Sequence, residues 1–348
     1  MRYRVLQAAL VVLAAGCSSQ AGGGPGTSGT GTETVSNSGA DGSGSGESSS
    51  SGGTGGGEPT GGGDSSGGDS SGGDSSGGDS SGGDSSGGDS SGGAEGSACP
   101  LPAYPDADCT GVPAGTALTV VEGDLNITEP DTVIDGKDIR GCVTVNAPGV
   151  VIRNSRVSCP DFIVVSSFGG AYEGTGLVIE DSEIDCQGTG GTAVGDTNFT
   201  VRRVDIHGCE NGFDVDGDVL IEDSYIHDMY QSAEAHTDGA QLTPVGHDVT
   251  LRHNTIYANE GTSAFISPEV SLGIVSNIRI ESNLMAGGAY TLYCQQDGPG
   301  SDYRVVDNHF STLFYPTVGA FGPWTDCEDE TEVHGNVYHE TGEPLPGQ

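Results

Sequence analysis

Apolar and polar positions alternate in short runs that recur along the C-terminal two-thirds of the chain. They are VIRNSRV (151–157), VIEDSEI (178–184), VRRVDI (201–206), LIEDSYI (220–226), TLRHNTI (250–256), RIESNLM (279–285), VVDNHF (305–310) and EVHGNVY (332–338). Each reads apolar, polar, polar, small or asparagine, polar, apolar. Taking Ser155, Ser182, Val204, Ser224, Asn254, Asn283, Asn308 and Asn336 as markers, the steps are 27, 22, 20, 30, 29, 25 and 28 residues. Strand-length runs at this period, joined by glycine-rich links and lacking a helical repeat, predict an all-β solenoid of parallel strands. The leucine framework of a leucine-rich repeat is missing. Asn254, Asn283, Asn308 and Asn336, stacked about 4.8 Å apart, are expected to bond amide to amide as a ladder.

A second register follows by matching glycines. It sets Asn211-Gly212-Phe213-Asp214-Val215 beneath Asp238-Gly239-Ala240-Gln241-Leu242, so that Asn211 stacks on Asp238 and Asp214 on Gln241, side chains outward. Three residues after each marker a further column runs Ser158, Asp185, His207, His227, Tyr257. His207, His227, His236 and His253 then fall on neighbouring rungs with Asp214 and Asp238. Clustered imidazoles and carboxyls titrate together near neutrality, as proton transfer requires.

The N-terminal hundred residues are of another kind. Residues 1–16 form a basic and apolar leader too short to span a bilayer, and Leu13-Ala14-Ala15-Gly16-Cys17 resembles a bacterial lipobox. That resemblance implies a lipidated Cys17 and a protein anchored at the outer membrane or cell surface. The rest of 17–98 is Gly, Ser, Thr and acid, with six D-S-S-G-G units beginning at Asp64, Asp69, Asp74, Asp79, Asp84 and Asp89. It has almost nothing to bury, which predicts a disordered tether reaching roughly 50 Å. Folding is left to 99–348, expected to be one β-helix domain. This part carries 39 of the 50 acids and nine of the 11 basic residues, a net charge of −30. Such a surface excludes nucleic acid and, without a bridging cation, polyuronates. The only membrane contact expected is the lipid anchor, and a monomer is expected.

Apart from Cys17 there are eight cysteines, an even number in an exported chain, which favours disulfides over zinc. The spacing suggests Cys99–Cys109, Cys142–Cys159, Cys186–Cys209 and Cys294–Cys327. Pairing Cys159 with Cys186 instead would leave Cys142 and Cys209 beyond the Cα limit of about 7 Å.

Across nearly all of 110–345 the repeats resemble the right-handed parallel β-helix of the pectin-lyase-like superfamily. Within it, His236-Thr237-Asp238-Gly239 is similar to the N-T-D-G turn of polygalacturonases. That likeness implies a catalytic carboxylate at Asp238, with Asp214 across the rung as the second carboxyl of an inverting pair. The remainder of the polygalacturonase pattern is absent. The superfamily's calcium-dependent lyases use a Lys or Arg base, for which this region offers only Arg252. A lyase or epimerase would use His236 or His227 as base and Tyr225 or Tyr257 as proton donor. The expected catalytic set is therefore His236, Asp238, His227, His207 and Asp214, with Gln241, Tyr225, Tyr257 and Arg252 toward substrate. Asp214-Val215-Asp216-Gly217-Asp218 resembles a calcium loop without its terminal glutamate, so Ca²⁺ through Asp214 and Asp216 is the one cofactor weighed. The expected partner is an extracellular polysaccharide, bound and cleaved or modified by acid/base chemistry of the glycosidase, lyase or epimerase type. The alternative is a non-catalytic glycan-binding, adhesive or structural module.

Overall fold

The computed structural model describes residues 99–167, 176–268, 272–294, 301–327 and 331–348. The leader, Cys17 and the 17–98 segment lie outside the described residues. The described chain forms 23 strands and no helix. Its first strands are β1 (Thr119–Glu122), β2 (Leu125–Ile127) and β3 (Val133–Asp135), which open three separate faces. The next turn supplies β4 (Lys137–Arg140), β5 (Val143–Val145) and β6 (Val151–Arg153), paired in parallel with β1, β2 and β3. β7 (Arg156–Ser158), β8 (Ile163–Ser167) and β9 (Leu177–Glu180) make the third turn. β10 (Glu183–Arg202) and β11 (Asp205–Glu222) run around all three faces in one sweep. The coil continues through β12 (Tyr225–His227), β13 (Asp238–Arg252), β14 (Thr255–Tyr257), β15 (Ser263–Ile266) and β16 (Ser276–Glu281). It closes with β17 (Leu284–Ala286), β18 (Tyr290–Tyr293), β19 (Ser301–Val306), β20 (His309–Ser311), β21 (Gly322–Thr325), β22 (Thr331–His334) and β23 (Val337–Tyr338). This is the parallel β-helix that the repeats predict.

The repeated runs are not single strands. Each is the end of the third face and the start of the first, separated by a bend on one residue. The residue before each marker is left-handed: Asn154, Asp181, Arg203, Asp223, His253, Ser282, Asp307 and Gly335 have φ between 48° and 71°. Asn, Asp and Gly bear that conformation at least cost, which is why they crowd this position. The marker column behind the bend holds the coil together. Asn254, Asn283 and Asn308 each donate Nδ2–H to the Oδ1 of the next asparagine at 3.0–3.1 Å and to a backbone carbonyl of the rung behind at 2.7–2.9 Å. Ser224 N–H donates to Asn254 Oδ1 at 3.0 Å, and Ser155 N–H to Ser182 Oγ at 3.2 Å. At the far end Gln348 imitates one more rung, its Oε1 accepting from Asn336 N–H at 2.8 Å.

Inside the second face one column runs Val165, Val194, Phe213, Ala240, Phe265, Leu292, Trp324. Large and small side chains alternate in its middle, so the rungs interlock at close-packed density. Each buried Phe contributes about 1.5–3 kcal/mol by leaving water. Trp324, half-buried against Phe310 at 5.5 Å, covers the C-terminal end of that core rather than facing outward.

All four expected disulfides are formed, with Cα separations of 4.8–5.8 Å. The Cys99–Cys109 loop takes a place that no local pattern announces. It lies on the corner between the third and first faces at the middle of the coil. There His253 Nε2 meets Ala103 O at 2.9 Å, and Gly111 N–H donates to Arg203 O at 3.0 Å. The Tyr104 ring is 5.1–5.8 Å from those of His253, His309 and His339.

Candidate functional site

The second face carries the candidate site on its outer surface. The register is the expected one: Thr192, Asn211, Asp238 and Ser263 are cross-strand partners in one column, and Gly195, Asp214, Gln241 and Ile266 in the next. Gly212 and Gly239 turn toward the core between them. A Cβ on Gly212 would meet Gly239 O at 2.4 Å, and one on Gly239 would meet Ile256 Cγ2 at 2.3 Å. Only glycine allows that approach, and it lets the residues on either side, Asn211 with Asp214 and Asp238 with Gln241, face the same way.

Hydrogen bonds tie the two columns together. Thr192 Oγ donates to Asp214 Oδ2 at 2.8 Å, and Asn211 Nδ2 donates to Asp214 Oδ1 at 3.3 Å and to Gln241 Oε1 at 3.4 Å. Asp238 N–H donates to Asn211 Oδ1 at 3.2 Å, and Ser263 Oγ donates to the Asp238 carboxyl. One rung back, Ser166 Oγ donates to Asp196 Oδ2 at 2.8 Å.

These carboxyls share a preference for the proton. Burial pushes Asp238 up to about 8, opposed by the Ser263 hydroxyl and reinforced by the charges of Asp214 and Glu210. Burial raises Asp214 as well, against the Thr192 bond and with help from Asp196 and Asp216. Asp196 is raised by burial, partly offset by Ser166, and by Asp216. The row is acid-rich, and each of its carboxyls is raised above its ordinary value by burial.

The other expected residues are distributed differently. Asp238 is 1% exposed, so a substrate meets Asp214 and Gln241, both half-buried, before it. His236 is exposed on the loop entering β13, its backbone N–H donating to Glu210 Oε1 at 3.0 Å. His207 and His227 stack on the first face, rings 5.7 Å apart, each engaged by carboxylates. His207 Nε2 lies 3.3 Å from Glu183. His227 Nε2 and Nδ1 lie 2.8 Å from Asp205 and 2.9 Å from Asp228. Tyr225 stacks on His227 at 4.0 Å and meets Tyr257 edge-on at 5.9 Å, on the same face. Arg252 is on the third face, bonded to Glu222, which also takes Arg202. His253 is held by Asp223 Oδ1 at 2.6 Å and by Ala103. The expected convergence of histidines and acids is therefore divided among faces.

The metal donors divide too. Left-handed Asp218 leaves Asp214 and Asp216 behind and falls beside His247 and Asp248, an exposed trio with ligand atoms within 4.8 Å of one another. Asp214 already accepts hydrogen bonds on both oxygens, and among the described residues no third ligand group joins it and Asp216, whereas Ca²⁺ takes six to eight oxygen ligands. The donor set at Asp214 and Asp216 does not fit calcium. Nor do His207, His227 and His236 meet around a common point, as zinc requires.

Sequence reasoning missed Thr192, Ser263, Asp196 and Ser166. Extending the Asn211–Asp238 column by one rung each way would have reached Thr192 and Ser263, while Ser166 lies two rungs back from Asp214 and Asp196 pairs with Val215, outside that column.

A family model described as a right handed beta helix region matches residues 125–267. The class of protein is thus a right-handed parallel β-helix. Among solved structures the chain is similar to the A-module of the mannuronan C-5 epimerase AlgE6 of Azotobacter vinelandii. Identity is 14% and the TM-score 0.35, over 67% of this chain and 80% of that one. It is also similar to the Dettilon tailspike protein, with 15% identity and a TM-score of 0.22 over 65% of this chain and 60% of that one. No curated protein matches in sequence.

Proposed function

We propose that the protein binds an extracellular polysaccharide along its second face and alters it by acid/base chemistry of the glycosidase, lyase or epimerase type. The observation that carries this reading is the half-buried Asp214 beside Gln241 on the second face, bonded by Thr192 and tied through Asn211 to the buried Asp238 of the next rung. Asp214 is the catalytic residue, since it is the member of the coupled Asp214–Asp238 pair that a sugar can touch. Gln241 beside it presents an amide for hydroxyl groups. Asp238 is a positioning residue, neutral below about pH 8 and so adding no second charge next to Asp214. His236 stands at the rim as a second proton carrier. Cys17 and the tether would hold the domain at the outer membrane or cell surface as a monomer.

A second reading, glycan binding without turnover, draws on the closure of Asp238 against Ser263, which seals one carboxyl from solvent. Reducing-end and unsaturated-product assays on a polysaccharide panel, with and without Ca²⁺, separate the two. Asp214→Asn should lower the rate by about 10²-fold or more, while Asp238→Asn, which mimics the neutral acid, should stay within about tenfold of wild type at pH 6. Turnover indifferent to Asp214→Asn would move the chemistry elsewhere, and binding with no product would favour the second reading.

A further inference from the structure

Farther along the coil the second face changes from acidic to aromatic. The outward column continues from Asp214 and Gln241 through Ile266 to Tyr293 and Thr325. Tyr293 is therefore two strand spacings from Gln241, about 10 Å. Burial is the larger reason that its hydroxyl resists ionisation, and the nearby Asp238 charge adds to it. Tyr290, on the same strand, has its ring 5.6 Å from that of Tyr293 and nearly perpendicular to it. On its other side it is 5.8 Å from Phe321.

Phe321 is 73% exposed, the most exposed large apolar side chain among the described residues. It is not on a loose end. Its N–H donates to Ala289 O at 2.8 Å, and that of Ala320 to Gly288 O at 2.9 Å. Opposite Tyr290 the strand has Gly322, where a Cβ would already lie 3.4 Å from the tyrosine ring. The backbone thus fixes an aromatic step in the open, although the neighbouring Trp324 goes to the core.

We propose that Tyr290, Tyr293 and Phe321 form a stacking subsite for a sugar ring of a neutral polysaccharide, whose chain runs along the coil axis to Asp214 and Gln241. Aromatic faces are electron-rich and rigid, and they receive the weakly positive C–H face of a pyranose at little entropic cost. Neutrality follows from where the cations are. All nine basic residues of 99–348 lie elsewhere: Lys137, Arg140 and Arg156 on first-face strands, Arg153, Arg202, Arg252, Arg279 and Arg304 on third-face strands, and Arg203 at the bend between them. A polyuronate laid on the second face would meet Asp196, Asp214, Asp216 and Glu210 with no cation beside it.

This inference rests on the second face being the glycan surface. Affinity electrophoresis of the full chain through gels holding xylan, β-glucan or galactomannan, against polygalacturonate and alginate, tests it. At least one neutral polymer should retard the wild type and neither uronate should. Phe321→Ala and Tyr290→Ala should each weaken retardation about fivefold or more, with an unchanged thermal midpoint for Phe321→Ala. Retardation equal in Phe321→Ala and wild type, binding to uronates alone, or binding to none of the polymers would overturn the subsite. Binding through Phe321 with no turnover of any neutral polymer would uphold the subsite and refute acid/base chemistry at Asp214.

Discussion

At the scale of single residues, Asp238 shows how far a turn motif reaches. Its place beside Gly239, its stacking on Asn211 and the coupling to Asp214 were legible in the sequence, because period-two alternation and a glycine register fix which side chains share a column. Its burial was not. That goes with the closure of Ser263 on its carboxyl one rung later, a contact that no local pattern encodes. Burial rather than the Asp214 charge is the larger cause of its raised pKa. The consequence is testable through stability. An unfolded aspartate titrates near 3.9, so between about pH 4 and pH 8 the unfolded chain releases a proton that folded Asp238 keeps. The stabilising effect is complete below the unfolded value and is lost as pH rises to the folded one. Asp238→Asn removes this dependence. Its thermal midpoint relative to wild type should rise from pH 4 to pH 8 by more than about 2 °C, an amount equivalent to under 1 kcal/mol in a domain of this size. A constant difference across that range would mean that Asp238 is ionised in the fold.

At the scale of elements, the asparagine ladder was readable because identical residues recur at the repeat period. The bend beside it was not, since the sequence runs on without a break between third and first faces. What announces it in hindsight is the Asn, Asp or Gly before many of the markers, left-handed at each of them. Asn283 serves four bonds: its Nδ2 donates to Asn308 Oδ1 and Leu251 O, and its Oδ1 accepts Nδ2–H and N–H of Asn254. Asn283→Ala leaves these partners buried without water. At about 1–3 kcal/mol for each unsatisfied group, a loss of roughly 3 kcal/mol or more is expected in chemical denaturation. Asn283→Ser should cost less, because Ser182 and Ser224 already accept a rung N–H in this same column. If serine were as damaging as alanine, the ladder's value would lie in side-chain volume and not in its hydrogen bonds.

At the scale of the whole molecule, the composition gave the sign of the charge but not its division among faces. Cations and acids pair from rung to rung on the first and third faces, as Arg156 does with Glu183 at 2.7 Å and Arg202 and Arg252 do with Glu222. The second face is left acidic. Three histidines belong to the paired system. Glu183 holds His207 above its free value, and Asp223 does the same for His253. His227 loses by burial but gains more from Asp205 and Asp228. Their stabilising contributions are complete below about pH 6.5, the free imidazole value, and vanish as pH climbs through the raised folded ones. The second-face acids Asp196, Asp214 and Asp238, all raised, weaken the fold in the same direction. Glu183, lowered by His207 and Arg156, and Glu222, lowered by Arg202 and Arg252 against its burial, act oppositely. Their contributions are complete above about pH 4.3 and vanish as pH falls through their folded values. The two sets overlap between about pH 4.5 and 6.5, where the thermal midpoint of the domain should peak, declining toward pH 9. His227→Ala with His253→Ala should flatten the alkaline decline and leave the acid limb, carried by Glu183 and Glu222, steep. A midpoint unchanged from pH 5 to 9 would mean that these imidazoles are neutral in the fold, and that the ion pairs on the first face contribute geometry without charge.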